Sequence, residues 1–95
     1  MQKCNLSLQV IPLVDEAQVY SVVDKVIQMI DETGVKYLVG PMETTMEGDL
    51  EELLEIVKKA QEICISAGAG RILSVVKIDY STTGVTMDEK VGKYR

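Results

Sequence analysis

The stretch Gly34–Asp49, GVKYLVGPMETTMEGD, decides the fold. Gly34 stops whatever helix precedes it, because glycine takes a left-handed conformation without a Cβ penalty. Val35–Gly40 then reads as a strand, Pro41–Glu43 as a turn, Thr44–Glu47 as a short strand, and Asp49 as the start of another helix. Two strands joined by a turn therefore sit between two helices. The segment Gly40–Asp49 carries one Pro, two Gly, two Thr and three acids, more polar chemistry than a plain hairpin requires.

Upstream, Asp15 with Gln18 three residues on reads as a capping box. Val19, Val22, Val23, Val26, Ile27 and Ile30 then recur at helical spacing on one face. Valine is a weak helix former, so packing must supply that helix's stability. Before it, Asn5–Leu13 alternates as a strand, with Leu6, Leu8 and Val10 on one face and Asn5, Ser7, Gln9 and Ile11 on the other. Pro12 and the residues after it end the strand.

Downstream, Asp49 with Glu52 gives a second capping box. Leu50, Leu53, Leu54, Val57, Ala60 and Cys64 form the helix stripe, which Ile56, Ile63 and Ala67 widen. Gly68 ends that helix. Ile72–Tyr80 is a strand, apolar on both faces, with Ile72, Val76 and Ile78 on one and Leu73 and Val75 on the other. Ser81–Thr86 reads as a loop and Met87–Tyr94 as a short helical tail.

Asp15 to Gly34 and Asp49 to Gly68 each span nineteen positions. Each half reads strand, capped helix, glycine stop, strand. The chain is thus expected to be α+β, a ferredoxin-like βαββαβ sandwich with a four-stranded antiparallel sheet and two helices on one face. Its 95 residues fit a single domain over 1–95. The other sheet face stays open, and a strand apolar on both sides at an edge invites pairing. A symmetric homo-oligomer, its sheets packed face to face or edge to edge, is the economical cover.

Composition removes several function classes. Fifteen acids against ten bases give a net charge of −5, without His, Phe or Trp, so neither a phosphate-binding basic footprint nor an aromatic RNA platform is present. Cys4 and Cys64 form no CxxC pair and have no His to complete a metal site. Two thiols so far apart suit a reducing, cytoplasmic setting. The first ten residues, MQKCNLSLQV, lack a signal-peptide core, and no apolar run reaches membrane-spanning length. No metal or cofactor is expected. A chain this short buries roughly 60–70% of its unfolded surface, so a ligand is expected at the sheet rim or a subunit junction.

Nucleophilic catalysis has little to stand on: there is no His base, no GxSxG elbow and no Cys–base pair. Gly68–Gly70 is a helix stop and turn rather than a phosphate loop. An anion site of the acylphosphatase type would have Asn5 but lacks an early Arg. In the short third strand, alternation puts Thr45 and Glu47 on one face and Thr44 and Met46 on the other. Glu47, before Gly48, is suited to pair with an amine or cation. Tyr37 can cover a flat ring, and Gln9 can donate and accept at a heterocycle. Each also has a plain structural reading: solvated acid, edge aromatic, surface amide.

VIPL at Val10–Leu13, GVKY from Gly34, GPMETTMEGD at Gly40–Asp49 and GAGRILSVVKID at Gly68–Asp79 together resemble the thiamine-binding protein family. The resemblance covers nearly the whole chain, with Pro41, Met42, Thr44, Glu47 and Gly48 as its specific core. It implies the same βαββαβ fold, dimers and tetramers formed through sheets, and binding of thiamine (vitamin B1) or its hydroxymethylpyrimidine part without catalysis. The chain departs from the family pattern at Val14 and Glu43, where glycine is usual, and at Asp79–Ser81, where an Arg often follows the last strand.

The expected ligand-binding residues are Gln9, Tyr37, Glu43, Thr44, Thr45 and Glu47, with Glu47 as charge partner and no catalytic residue. Two rival readings compete. One is a regulatory or scaffold oligomerisation module that binds a partner protein through its open face. The other is a small hydrolase or isomerase using Glu43 and Glu47.

Overall fold

The computed structural model describes residues 3–95; Met1 and Gln2, which the single-domain reading includes, lie outside the described residues. The order is β1 (Cys4–Pro12), α1 (Val19–Thr33), β2 (Lys36–Val39), β3 (Thr44–Gly48), α2 (Leu50–Ser66), β4 (Ile72–Tyr80) and α3 (Met87–Val91). One-turn 3₁₀ segments occupy Glu16–Gln18 and Gly92–Tyr94. The four strands form one antiparallel sheet in the order β2-β3-β1-β4. This is the ferredoxin-like α+β fold that the two nineteen-residue halves require.

Period decides which residues enter the core. β1 sends Cys4, Leu6 and Leu8 to one face, and all three are buried. Leu6 stands opposite Met46 of β3 and Ile78 of β4. α1 lays Val22, Val26 and Ile30 on that face, spaced by four. α2 adds Leu53, Ile56, Ala60 and Cys64. Both thiols are therefore small core residues, free and buried, and burial pushes each thiol pKa up.

Gly34 caps α1 at φ 82°, its N–H donating to the Asp31 carbonyl, the left-handed stop foreseen for it.

Several local expectations give way. Neither Asp15 nor Asp49 caps through its side chain. Asp15 instead accepts the Gln18 N–H on its backbone carbonyl, at 2.8 Å, so a 3₁₀ turn precedes α1 and the helix begins at Val19. At Asp49 the backbone is extended, while the Glu52 carboxylate lies against Gly48. The real capping box is Thr86 with Glu89: the Glu89 N–H donates to the Thr86 hydroxyl, and that hydroxyl to the Glu89 carboxylate. Leu54 leaves the buried stripe and is 44% exposed, because a helix turns about 100° between it and Leu53.

The sheet face away from α1 and α2 is not wholly open. α3 docks across one end of it and buries Met87. At the other end Ile11, Leu73 and Val75 stay exposed. On the helix side of β4, Val76, Ile78 and Tyr80 are exposed as well, so this edge strand is apolar on both faces as its sequence indicates.

Candidate functional site

Registration of the four strands sets the uncovered face in rows. Lys36, Glu47, Asn5 and Asp79 form one row; Leu38, Thr45, Ser7 and Lys77 form the next. Gln9 follows beyond Ser7, beside Val75. In the second row the Ser7 and Thr45 hydroxyls bond at 2.8 Å. Glu43 lies just outside β3, but its carboxylate reaches this face and meets the Lys77 ammonium at 3.0 Å. Lys77, and then the Ser7 hydroxyl, hold the Glu43 carboxyl below the ordinary glutamate range. Glu43 is thus a firmly ionised carboxylate at the rim of the sheet.

The first row belongs to the tail. Glu47 accepts the Met87 backbone N–H at 2.7 Å, and the Asn5 amide lies 3.5 Å away. Asp88 pairs with Lys36, and Lys90 with Asp79, each at 2.6 Å. Those ion pairs are exposed and contribute little; the buried Met87 side chain and the charged acceptor Glu47 hold α3. Glu47 thus anchors the tail here. Replacing Glu47 by Ala is expected to remove about 1.5–3 kcal/mol of local stability. Amide exchange across Met87–Val91 would then speed up roughly ten- to a hundredfold; an unchanged rate would show that Met87 burial suffices alone.

Tyr37 is not with Thr45 and Glu47. It stands opposite Met46, on the helix side, and its hydroxyl donates to Asp31 at 2.8 Å. That bond raises the phenol pKa. Thr44, opposite Leu8, also faces the helices and is buried. The six expected residues therefore divide between the two faces of the sheet: Gln9, Glu43, Thr45 and Glu47 on one, Tyr37 and Thr44 on the other.

The two groups approach each other at the sheet rim. β1 pairs with β3 only as far as Leu8 opposite Thr44, yet continues to Pro12 against β4. Beyond Leu8 no strand among the described residues pairs with that side of β1. Alternate residues of an antiparallel strand turn both backbone groups toward the same neighbour. At least one of Gln9, Val10 and Ile11 thus presents N–H and C=O to an empty side.

A cleft of about 230 Å³ opens there. Its walls are Val19, Val23 and Ile27 of α1, the segment Val39–Thr44, and Leu8–Val10 of β1. The turn that roofs it is tight: the Gly40 N–H donates to the Glu43 carbonyl at 2.8 Å. A Cβ on residue 40 would stand 3.0 Å from that carbonyl oxygen, so any side chain there would have to push the turn backbone back by a few tenths of an ångström, and glycine avoids that cost.

A larger groove of about 430 Å³ runs between α1 and α2 past Lys25, Met29, Lys59 and Ile63. It is more open to solvent and touches none of the polar residues at the rim, so size alone does not select it. The cleft itself was missed in the sequence, although the unequal lengths of β1 and β3 were visible there.

Among the described residues no cluster of three or more His, Cys, Asp or Glu is placed to hold a metal ion, and no helix is long and apolar enough to cross a membrane. The ferredoxin-like α+β sheet thus carries a rim cleft with apolar walls and polar groups at its mouth. Residues 6–95 match the family described as thiamine-binding protein, and the chain belongs to that family.

A UPF0045 protein of Clostridium perfringens is 67% identical over the full length of both chains. A solved DUF77 domain of Bacillus cereus is 50% identical, superposes with a TM-score of 0.91, and covers 99% of this chain and 91% of its own. A Thermotoga maritima structure, whose suggested role is thiamine biosynthesis or salvage, is 39% identical with a TM-score of 0.91, covering 98% and 99%.

Proposed function

We propose that this chain binds thiamine or a related hydroxymethylpyrimidine compound without catalysing a reaction, its aminopyrimidine ring seated in the rim cleft. The observation that carries this reading is the cleft: apolar walls for the faces of a flat ring, and an unpaired backbone edge for its donor and acceptor atoms. At about 230 Å³ it falls below the roughly 300–1,000 Å³ common for drug-sized ligands. It therefore takes one ring, and the thiazolium lies outside, at the rim. Gln9 and Thr44 flank the ring, and Glu43 supplies the negative charge for the cation. Thr45, bonded to Ser7, lines the path beyond. Tyr37 and Glu47 act indirectly, Tyr37 by fixing α1 to β2 and Glu47 by fixing the tail.

The family's name as a binding protein supports the non-catalytic assignment, as does the lack of any paired nucleophile and base in the cleft. The suggested thiamine role of the Thermotoga relative points to the same vitamin. In this reading the chain works in the cytoplasm, where its two free thiols stay reduced. It also self-associates, as a dimer or tetramer, through the apolar corner of Ile11, Leu73 and Val75 and the β4 edge.

Calorimetric titration of protein stripped of co-purified ligand by unfolding and refolding tests the reading. Thiamine, hydroxymethylpyrimidine and thiamine pyrophosphate are the three probes. Saturable binding of the first two is expected, with the pyrophosphate weaker because its phosphates meet an acidic chain of net charge −5. No heat and no thermal stabilisation with any probe would sink it and favour a protein-binding scaffold.

A further inference from the structure

Among the described residues, Lys77 is the cation that holds Glu43. Its ammonium lies 3.0 Å from the carboxylate, and the Lys77 side chain is 68% exposed against 32% for Glu43. The acid is thus the more covered partner, further held by the Ser7 hydroxyl, while the cation is the more exposed one. Lys77 lies on β4 opposite Ser7, so its stem crosses the polar row from the far side and delivers its charge to the rim beside the cleft.

Glu43 lines the cleft, so a ligand ring seated there with a cationic second ring would turn to the same carboxylate that the Lys77 ammonium holds. One carboxylate held on one side by Ser7 does not give full strength to two cations at once.

We infer that Lys77 is an internal counter-ion that competes with the ligand for Glu43, so that occupation by a cationic heterocycle displaces the ammonium while a neutral one leaves it in place. Lys77 is then a specificity-setting residue. It lowers affinity for the cationic ligand and leaves affinity for an uncharged ring untouched. The exchange does not leave the Glu43 carboxylate unpaired in either state. This inference rests on the cleft as the ligand site.

The pair is exposed, so its competition is modest. Exposed ion pairs are worth about 0.2–1 kcal/mol, which sets the scale of the effect. With thiamine and neutral hydroxymethylpyrimidine as probes, Lys77→Met is expected to raise thiamine affinity roughly two- to fivefold and leave hydroxymethylpyrimidine unchanged. Lys77→Arg should move thiamine the other way, below the parent protein, because a guanidinium grips a carboxylate with two parallel hydrogen bonds. Glu43→Gln should remove the preference between the two probes that the charge creates.

Lys77 is on the surface, and a thermal melt of each variant without ligand establishes that it folds. Equal shifts for both probes, no shift for thiamine, or weaker thiamine binding in Lys77→Met would overturn the exchange while leaving the cleft as the binding site. Binding of neither probe to the parent protein would remove the ligand reading itself, and the exchange with it.

Discussion

Leu53→Ala is expected to destabilise the protein by about 2–5 kcal/mol. Leu53 is fully buried on α2 in the core, its side chain close to Gly48 of β3, so truncation removes both transfer energy and packing. A domain of this length has roughly 5–14 kcal/mol to lose, and the melting temperature should fall by roughly 10 °C or more. Leu54, next along the helix, provides the control. It is 44% exposed, and its truncation should stay within about 0.5 kcal/mol. Thermal denaturation followed by circular dichroism separates the two. An equal cost at both would mean that Leu54 is covered by another chain in solution.

Val23→Phe is expected to abolish ligand binding while the fold survives. Val23 is half-buried on α1 and walls the cleft, so the larger ring enters the space of about 230 Å³ from the solvent side. Burying one aromatic ring removes about 150 Å² from water, worth roughly 3–4 kcal/mol, and losing that contact weakens binding by two to three orders of magnitude, about tenfold for every 1.4 kcal/mol. Overpacking strain of about 1–3 kcal/mol is the expected stability cost. Parent-like affinity in a folded Val23→Phe protein would place the ligand elsewhere and return attention to the polar rows on the uncovered face.

Most of the fold was legible because period and punctuation agree. The strands alternate by two, the helices repeat near 3.6, and Gly34 and Gly68 stop both helices. β4 falls on the residues read for it, Ile72–Tyr80. Caps were less legible. An Asp followed three residues later by Gln or Glu allows a capping box but does not decide whether the side chain bonds. Asp49 and Thr86 both enter their helices with extended backbone, yet of the two only Thr86 caps through its side chain.

The site was legible only as a residue list. Whether Tyr37 shares a face with Thr45 depends on the pairing parity fixed by the turn Gly40–Glu43, and one residue of slip inverts every side chain. The docking of α3 rests on long-range contacts between Glu47 and Met87, and no local pattern announces those. Glu43 appeared in the sequence as a departure from a family pattern, and its pairing with Lys77 across the sheet needed the register.

Glu47 ties together two parts of the chain forty residues apart. It lies one residue before the end of the strand that opens from the signature turn, and it carries the hydrogen bond that seats the tail. In the proposed reading, a ligand that shifted β3 at its Thr44 end would pull on the C-terminal tail through that one carboxylate. The last residues, with Lys93 over the exposed ring of Tyr94, would then be the place to look for it. A spectroscopic label on Tyr94 would register events at the cleft without being placed in it.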